Sequence, residues 1–120
     1  MNINEIQANI CLKFGSDLCE IDPNGKIGIA LASLNLSPIY GVRVKPENGT
    51  EGWYIWAGER SDEHDFFQPV HAAHIIDLLP EAAPYLALEP GYKFIIDRDG
   101  YEDVWRDEEG GVLSNNKDLN

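Results

Sequence analysis

Gly52-Trp53-Tyr54-Ile55-Trp56-Ala57-Gly58 decides the fold. Between its glycines lies WYIWA, the most β-prone run in the chain, because aromatic and β-branched side chains fit a pleated surface. Side chains alternate along a strand. Trp53, Ile55 and Ala57 therefore share one face, and Tyr54 and Trp56 share the other. Of the two tryptophans, one is expected in the core and one nearer a surface. An aromatic beside Glu59, Asp62, Glu63 and Asp65 would form a contact anchor with an acidic rim.

Working outward, residues 39–45 alternate Tyr40, Val42 and Val44 against Gly41, Arg43 and Lys45, which reads as a half-buried strand. Residues 27–34 alternate Ile27, Ile29 and Leu31 with small residues, a third strand. It follows the turn Asp22-Pro23-Asn24-Gly25. The three strands of 27–57 are expected to form an antiparallel meander with one core face. Ile3, Ile6, Ile10 and Phe14 predict a helix over 2–14. Pro69 suits the first position of a helix running to Leu79, and Pro80 begins a second short helix over 81–88. Tyr92–Ile96 and Tyr101–Trp105 read as a hairpin closed by Asp97-Arg98-Asp99-Gly100. The sum is an α+β fold: a mainly antiparallel sheet, meander plus C-terminal hairpin, with helices packed on one face. A length of 120 residues with 43% apolar side chains suits one domain over 1–120. Its core is expected over 3–108, with 110–120 a loosely ordered tail.

Charge sets the partner class. Residues 1–60 hold 5 basic and 7 acidic side chains; residues 61–120 hold 4 and 14. The formal net charge of −12 argues against nucleic acid and anionic membrane as partners and favours a basic protein. No apolar run is long enough to span a membrane, and the first residues lack a signal-peptide pattern, so a cytoplasmic location is expected. Asp97, Asp99, Glu102, Asp103, Asp107, Glu108 and Glu109 are the densest acidic cluster, either a solvated face or a docking surface.

Other chemistries are thinner. Cys11 and Cys19 are too few and wrongly spaced for a disulfide scaffold or a zinc ribbon. They read as reduced, packed thiols, with a redox pair or a metal role as the alternatives. His71 and His74 lie three apart on the predicted helix. With His64, Asp62 or Asp65 they would offer nitrogen and oxygen ligands, but the H-E-x-x-H pattern is absent. Asp97-x-Asp99-Gly100 fails the spacing of a calcium loop and is explained by a hairpin turn. Glu102 and Asp103 point to opposite faces of a strand, which does not make an acid–base pair. No nucleophile elbow, phosphate loop or catalytic cysteine signature occurs.

The run Gly52-Trp53-Tyr54-Ile55-Trp56-Ala57-Gly58-Glu59 is the first of several pieces that carry a family likeness. The others are Asp65-Phe66-Phe67, Pro84-Tyr85-Leu86-Ala87-Leu88, Pro90-Gly91-Tyr92-Lys93-Phe94 and Tyr101-Glu102-Asp103-Val104-Trp105. Together they resemble the immunity protein 33 family, also known as domain of unknown function 2185. G-W-x-x-x-A-G-E is the most specific piece, and the likeness spans residues 27–108. The resemblance implies a bacterial, non-enzymatic protein that binds and neutralises a polymorphic toxin. It assigns no catalytic residue and no cofactor.

The expected function is therefore capture of a basic toxin through an acidic surface. Trp56, Glu59, Asp62, Asp65, Glu102, Asp103 and Asp107 are the candidate contacts. Two alternatives stand beside it. One is a small metal-binding domain or metal-dependent enzyme using His64, His71 and His74. The other is a scaffold module that forms a homodimer through a sheet edge.

Overall fold

The computed structural model describes residues 2–106. Helix α1 (Ile3–Phe14) is followed by β1 (Lys26–Ile29), a 3-10 turn (Leu31–Ser33), β2 (Ile39–Arg43) and β3 (Thr50–Ala57). Then come β4 (Gln68–His71), a second 3-10 turn (Ala72–His74), α2 (Ile75–Leu78), a third turn (Ala83–Tyr85), β5 (Tyr92–Ile96) and β6 (Glu102–Arg106). The fold is α+β, as expected. The six strands form one sheet in the order β4-β1-β3-β2-β5-β6.

Helix α1 forms because its ends are satisfied. The Asn2 side chain accepts from the Glu5 N–H at 2.9 Å, and Gly15, with φ 76°, closes the C-terminus by donating to the Cys11 carbonyl. Cys11 and Gln7 face inward, and the Gln7 amide donates to the Ala83 carbonyl at 2.9 Å. The C-terminal hairpin also matches its reading. Asp97 Oδ1 accepts from the N–H groups of Asp99 (2.8 Å) and Tyr101 (2.9 Å), and Gly100 takes φ 100°.

Three expectations are corrected. The strands of 27–57 are not a simple meander: β1 runs parallel to β3, and β3 lies between β1 and β2. The physical reason is in WYIWA itself. With apolar side chains on both faces, β3 belongs at the centre of a sheet covered on both sides. Second, Pro69 starts no helix; it lies in β4 at the edge of the sheet. A strand edge tolerates a residue without an N–H as readily as a helix start does. The helical stretch shrinks to residues 72–78, with Ala72, Ile75 and Leu79 buried, and the second short helix is the 3-10 turn Ala83–Tyr85.

Third, the sheet has two apolar faces rather than one. On the first, Ile27, Ile29, Ile39, Trp53, Ile55 and Phe94 pack under Cys11, Ile75, Leu79 and Leu86. Arg43 lies on this face, 1% exposed, although its strand alternation suggested an outward position. Its guanidinium donates to four carbonyls: Leu88 (2.8 Å), Glu51 (2.9 Å), Cys19 (3.0 Å) and Leu86 (3.4 Å). Burial pulls its pKa below the ordinary arginine value, opposed by Cys19 and Glu51. The second face carries Ala30, Val42 and Trp56, with Tyr40, Val44, Phe66 and Phe67 packed on them. The expected tail at 110–120 lies outside the described residues.

Candidate functional site

Cross-strand pairing fixes what the second face presents. One row runs Pro69, Gly28, Tyr54, Val42, Lys93, Trp105 from β4 to β6. The next runs Trp56, Tyr40, Ile95, Asp103 from β3 to β6. At strand spacing, Asp103 stands about 14 Å from Trp56 along that row. Tyr40 and Trp56 stack with centroids 5.1 Å apart and planes at 12°. Above them opens a cleft of about 450 Å³ lined by Ser37, Pro38, Tyr40, Trp56, Gly58, Glu59 and Arg60.

The acidic loop is attached to this same face. Gly58 leaves β3 with φ 73°, a backbone state that suits glycine, and donates to the Pro38 carbonyl at 2.9 Å. At the far end of the loop, Phe67 meets Tyr54 edge-on at 5.3 Å and Trp56 at 5.9 Å, and Phe66 packs on Phe67 at 4.9 Å. Each such aromatic pair adds about 0.5–1.5 kcal/mol beyond area burial. Between these anchors the backbone is braced locally. The Glu63 N–H donates to Ser61 Oγ (3.1 Å), and the Gln68 amide donates to the Asp65 carbonyl (2.6 Å). Glu59, Asp62, Glu63, His64 and Asp65 are left exposed to solvent. Arg60 lies over the Trp56 ring at 5.9 Å.

The expected site residues divide. Trp56 and Asp103 share one side of the sheet by register, and Glu59 lines the cleft there. Asp62 and Asp65 belong to the exposed loop that Phe66 and Phe67 anchor to that side. Trp56 is 1% exposed, as buried as Trp53, so the expectation that one tryptophan lies near the surface is corrected. Trp56 is the floor of the cleft, covered by Tyr40 and Phe67. Glu102 lies on the helix-covered side, paired across the sheet with Ile96. It accepts from Lys13 Nζ and from Tyr85 Oη, each at 2.5 Å. Burial opposes its ionisation, but the bonds from Lys13 and Tyr85 outweigh that and hold its pKa below the ordinary value. The same burial and the carboxylate raise the Tyr85 phenol far above its ordinary pKa. Asp107 lies outside the described residues.

Of the described cations of the second half, Lys93 lies buried on this same face, paired with Val42 and Trp105, while Arg98 and Arg106 are engaged with other groups. Arg98 donates to Glu81 (2.8 Å) and to the carbonyls of Leu36 (2.6 Å) and Leu34 (2.8 Å). Arg106 pairs with Glu89 at 2.7 Å. Those two ion-pair partners, Glu81 and Glu89, are not among the candidate contacts Glu59, Asp62, Asp65 and Asp103.

The histidines do not share a helix. His71 ends β4 and His74 ends a 3-10 turn, with ring centroids 6.2 Å apart, while His64 belongs to the acidic loop. Among the described residues, no three His, Cys, Asp or Glu side chains are grouped to hold a metal ion. No described helix is long and apolar enough to cross a membrane. The sequence reading passed over Tyr40, Pro38 and Arg60 as cleft residues. The only local signal was the Tyr40-Gly41-Val42 alternation, which does not reveal the pairing of Tyr40 with Trp56.

Comparison with curated proteins and with solved structures gives no match. The family model for the Imm33-like domain matches residues 6–107, which includes every strand of the sheet and the acidic loop. The chain belongs to the Imm33-like domain family.

Proposed function

We propose that this protein is an immunity protein that binds a basic toxin through the second face of its sheet and blocks it without catalysis. One observation carries the reading. Phe66 and Phe67 anchor an acidic loop onto the same face as the Tyr40–Trp56 cleft, with Asp103 in the same row. The loop from Gly58 to Phe67 holds four carboxylates and one arginine, within a chain of net charge −12. Such a surface steers a cationic partner and speeds encounter, an effect that weakens as salt rises. The half-buried Tyr40 ring, stacked on the buried Trp56, gives the rigid aromatic contact that electrostatics alone does not. Membership of the Imm33-like family supports a toxin as the partner class.

Co-expression with a toxin encoded beside this gene tests the reading. The expected result is restored growth and a complex that co-purifies at low salt and loosens at high salt. Replacing Asp62 and Asp65 together by lysine is expected to abolish both. A toxin that kills equally with and without this protein, and does not co-purify, refutes the proposal.

A further inference from the structure

Cys11 and Cys19, eight positions apart in sequence, converge on one carbonyl oxygen. Cys11 lies in the last turns of α1, 3% exposed, and its thiol donates to the Ala87 carbonyl at 3.4 Å. Gly15 ends the helix in the left-handed region, and the chain doubles back. The backbone N–H of Cys19 then donates to that same Ala87 carbonyl at 2.8 Å.

Cys19 is held from its other side as well. Its own carbonyl accepts from Arg43 Nη1 at 3.0 Å. The strap leading to it is fixed over residues 87–89. The Glu89 N–H donates to Ser16 Oγ at 3.0 Å, and the Asp17 N–H donates to Glu89 Oε2 at 2.9 Å. The outer side of the strap meets solvent, since the neighbouring Leu18 is 51% exposed. Cys19 itself is half-buried, whereas Cys11 is buried. The chain has no third cysteine to compete.

We propose that Cys11 and Cys19 form a redox-active dithiol, a modification site for low-molecular-weight disulfides such as oxidised glutathione. Cys19 is the less buried residue of the two; its thiol loses its proton and attacks one sulfur of the reagent, releasing one glutathione thiol and leaving a mixed disulfide on Cys19. Cys11 then loses its proton and attacks the Cys19 sulfur, releasing the second glutathione and closing the Cys11–Cys19 bond. Two electrons pass from the protein dithiol to the reagent, which leaves as two reduced glutathiones. The order follows from access. Burial raises the Cys11 thiol pKa, so it reacts only with a sulfur already placed beside it. Closure breaks the Cys11 bond to Ala87 and ties the end of α1 to the strap covalently.

The test incubates the native full-length protein with oxidised glutathione, caps free thiols with N-ethylmaleimide and reads intact mass and digest peptides. The wild type is expected to become a monomer lighter by two hydrogens, with no maleimide on either cysteine and one cross-linked peptide pair. Cys11→Ser is expected to stop at a single glutathione adduct on Cys19, and Cys19→Ser to stay unmodified while folded. The wild-type result stands without the variants. A wild type that keeps a glutathione adduct, takes up two maleimides after the incubation, or links between molecules overturns the proposal.

Discussion

Replacing Arg43 by alanine removes the donor side chain from four carbonyl oxygens at once. Leu86 keeps a partner, because Trp53 Nε1 donates to it at 2.9 Å. The carbonyls of Glu51, Cys19 and Leu88 lose theirs. An unpaired buried acceptor costs about 1–3 kcal/mol. Leu88 is the deepest of the three, while water reaches Glu51 and Cys19 more easily, so the loss is expected at about 3–5 kcal/mol. The substitution also removes the guanidinium that lies over the Trp53 ring at 5.8 Å. A domain of this size has about 5–15 kcal/mol in total, so the variant is expected to fold marginally. Urea denaturation followed by tryptophan fluorescence measures the difference directly. Arg43→Lys keeps a charge but not the planar fork, and is expected to fall between wild type and alanine. Lys45→Ala, two residues on and exposed, is expected to change stability by less than about 0.5 kcal/mol. An Arg43→Ala variant within about 1 kcal/mol of wild type would refute the argument, because that loss is smaller than the cost of orphaning even two such carbonyls.

Three further outcomes follow from the geometry. Gly41→Ala would place a Cβ 2.1 Å from the Phe94 ring, which is itself held between Trp53 and Tyr85; a destabilisation of about 3 kcal/mol is expected in a thermal melt. The Glu102 pKa is depressed in the folded state, so its stabilisation is complete above the unfolded value of about 4.3 and disappears as pH falls through the folded value. Glu102→Gln is therefore expected to lower stability at neutral pH and to flatten its decline below about pH 4, read from urea midpoints across pH. Asp62 and Asp65 are exposed, so their joint change to lysine is expected to leave stability within about 0.5 kcal/mol while slowing association with a basic partner by about tenfold or more, read by stopped flow at low salt.

Local chemistry was legible where the answer is local. Asp97 and Gly100 announce the hairpin because the turn uses those very groups. WYIWA announces a strand, and its two apolar faces foretell a central position that strand propensity alone does not assign. What sequence could not show was which side of a strand faces inward. The alternation of Tyr40, Val42 and Val44 with Arg43 looks like a core face and a water face. Both are buried, because four distant carbonyls accept from the guanidinium. Pro69 misled for a related reason: a helix start and a sheet edge both accept a missing N–H. Within the site, Glu59, Asp62 and Asp65 were visible as neighbours along the chain. Asp103 joins them only through the register of three strand pairs; Glu102, on the other face of the same strand by simple alternation, meets Lys13, 89 positions away.

Hydrogen–deuterium exchange of the protein alone and bound to its toxin tests the central claim most directly. The account predicts slowed exchange in the loop from Gly58 to Phe67 and at the β2 end of the cleft around Ser37 to Tyr40, with α1 unchanged. Slowed exchange confined to α1 and the strap at Ser16 to Cys19, with the acidic loop unaffected, would contradict it.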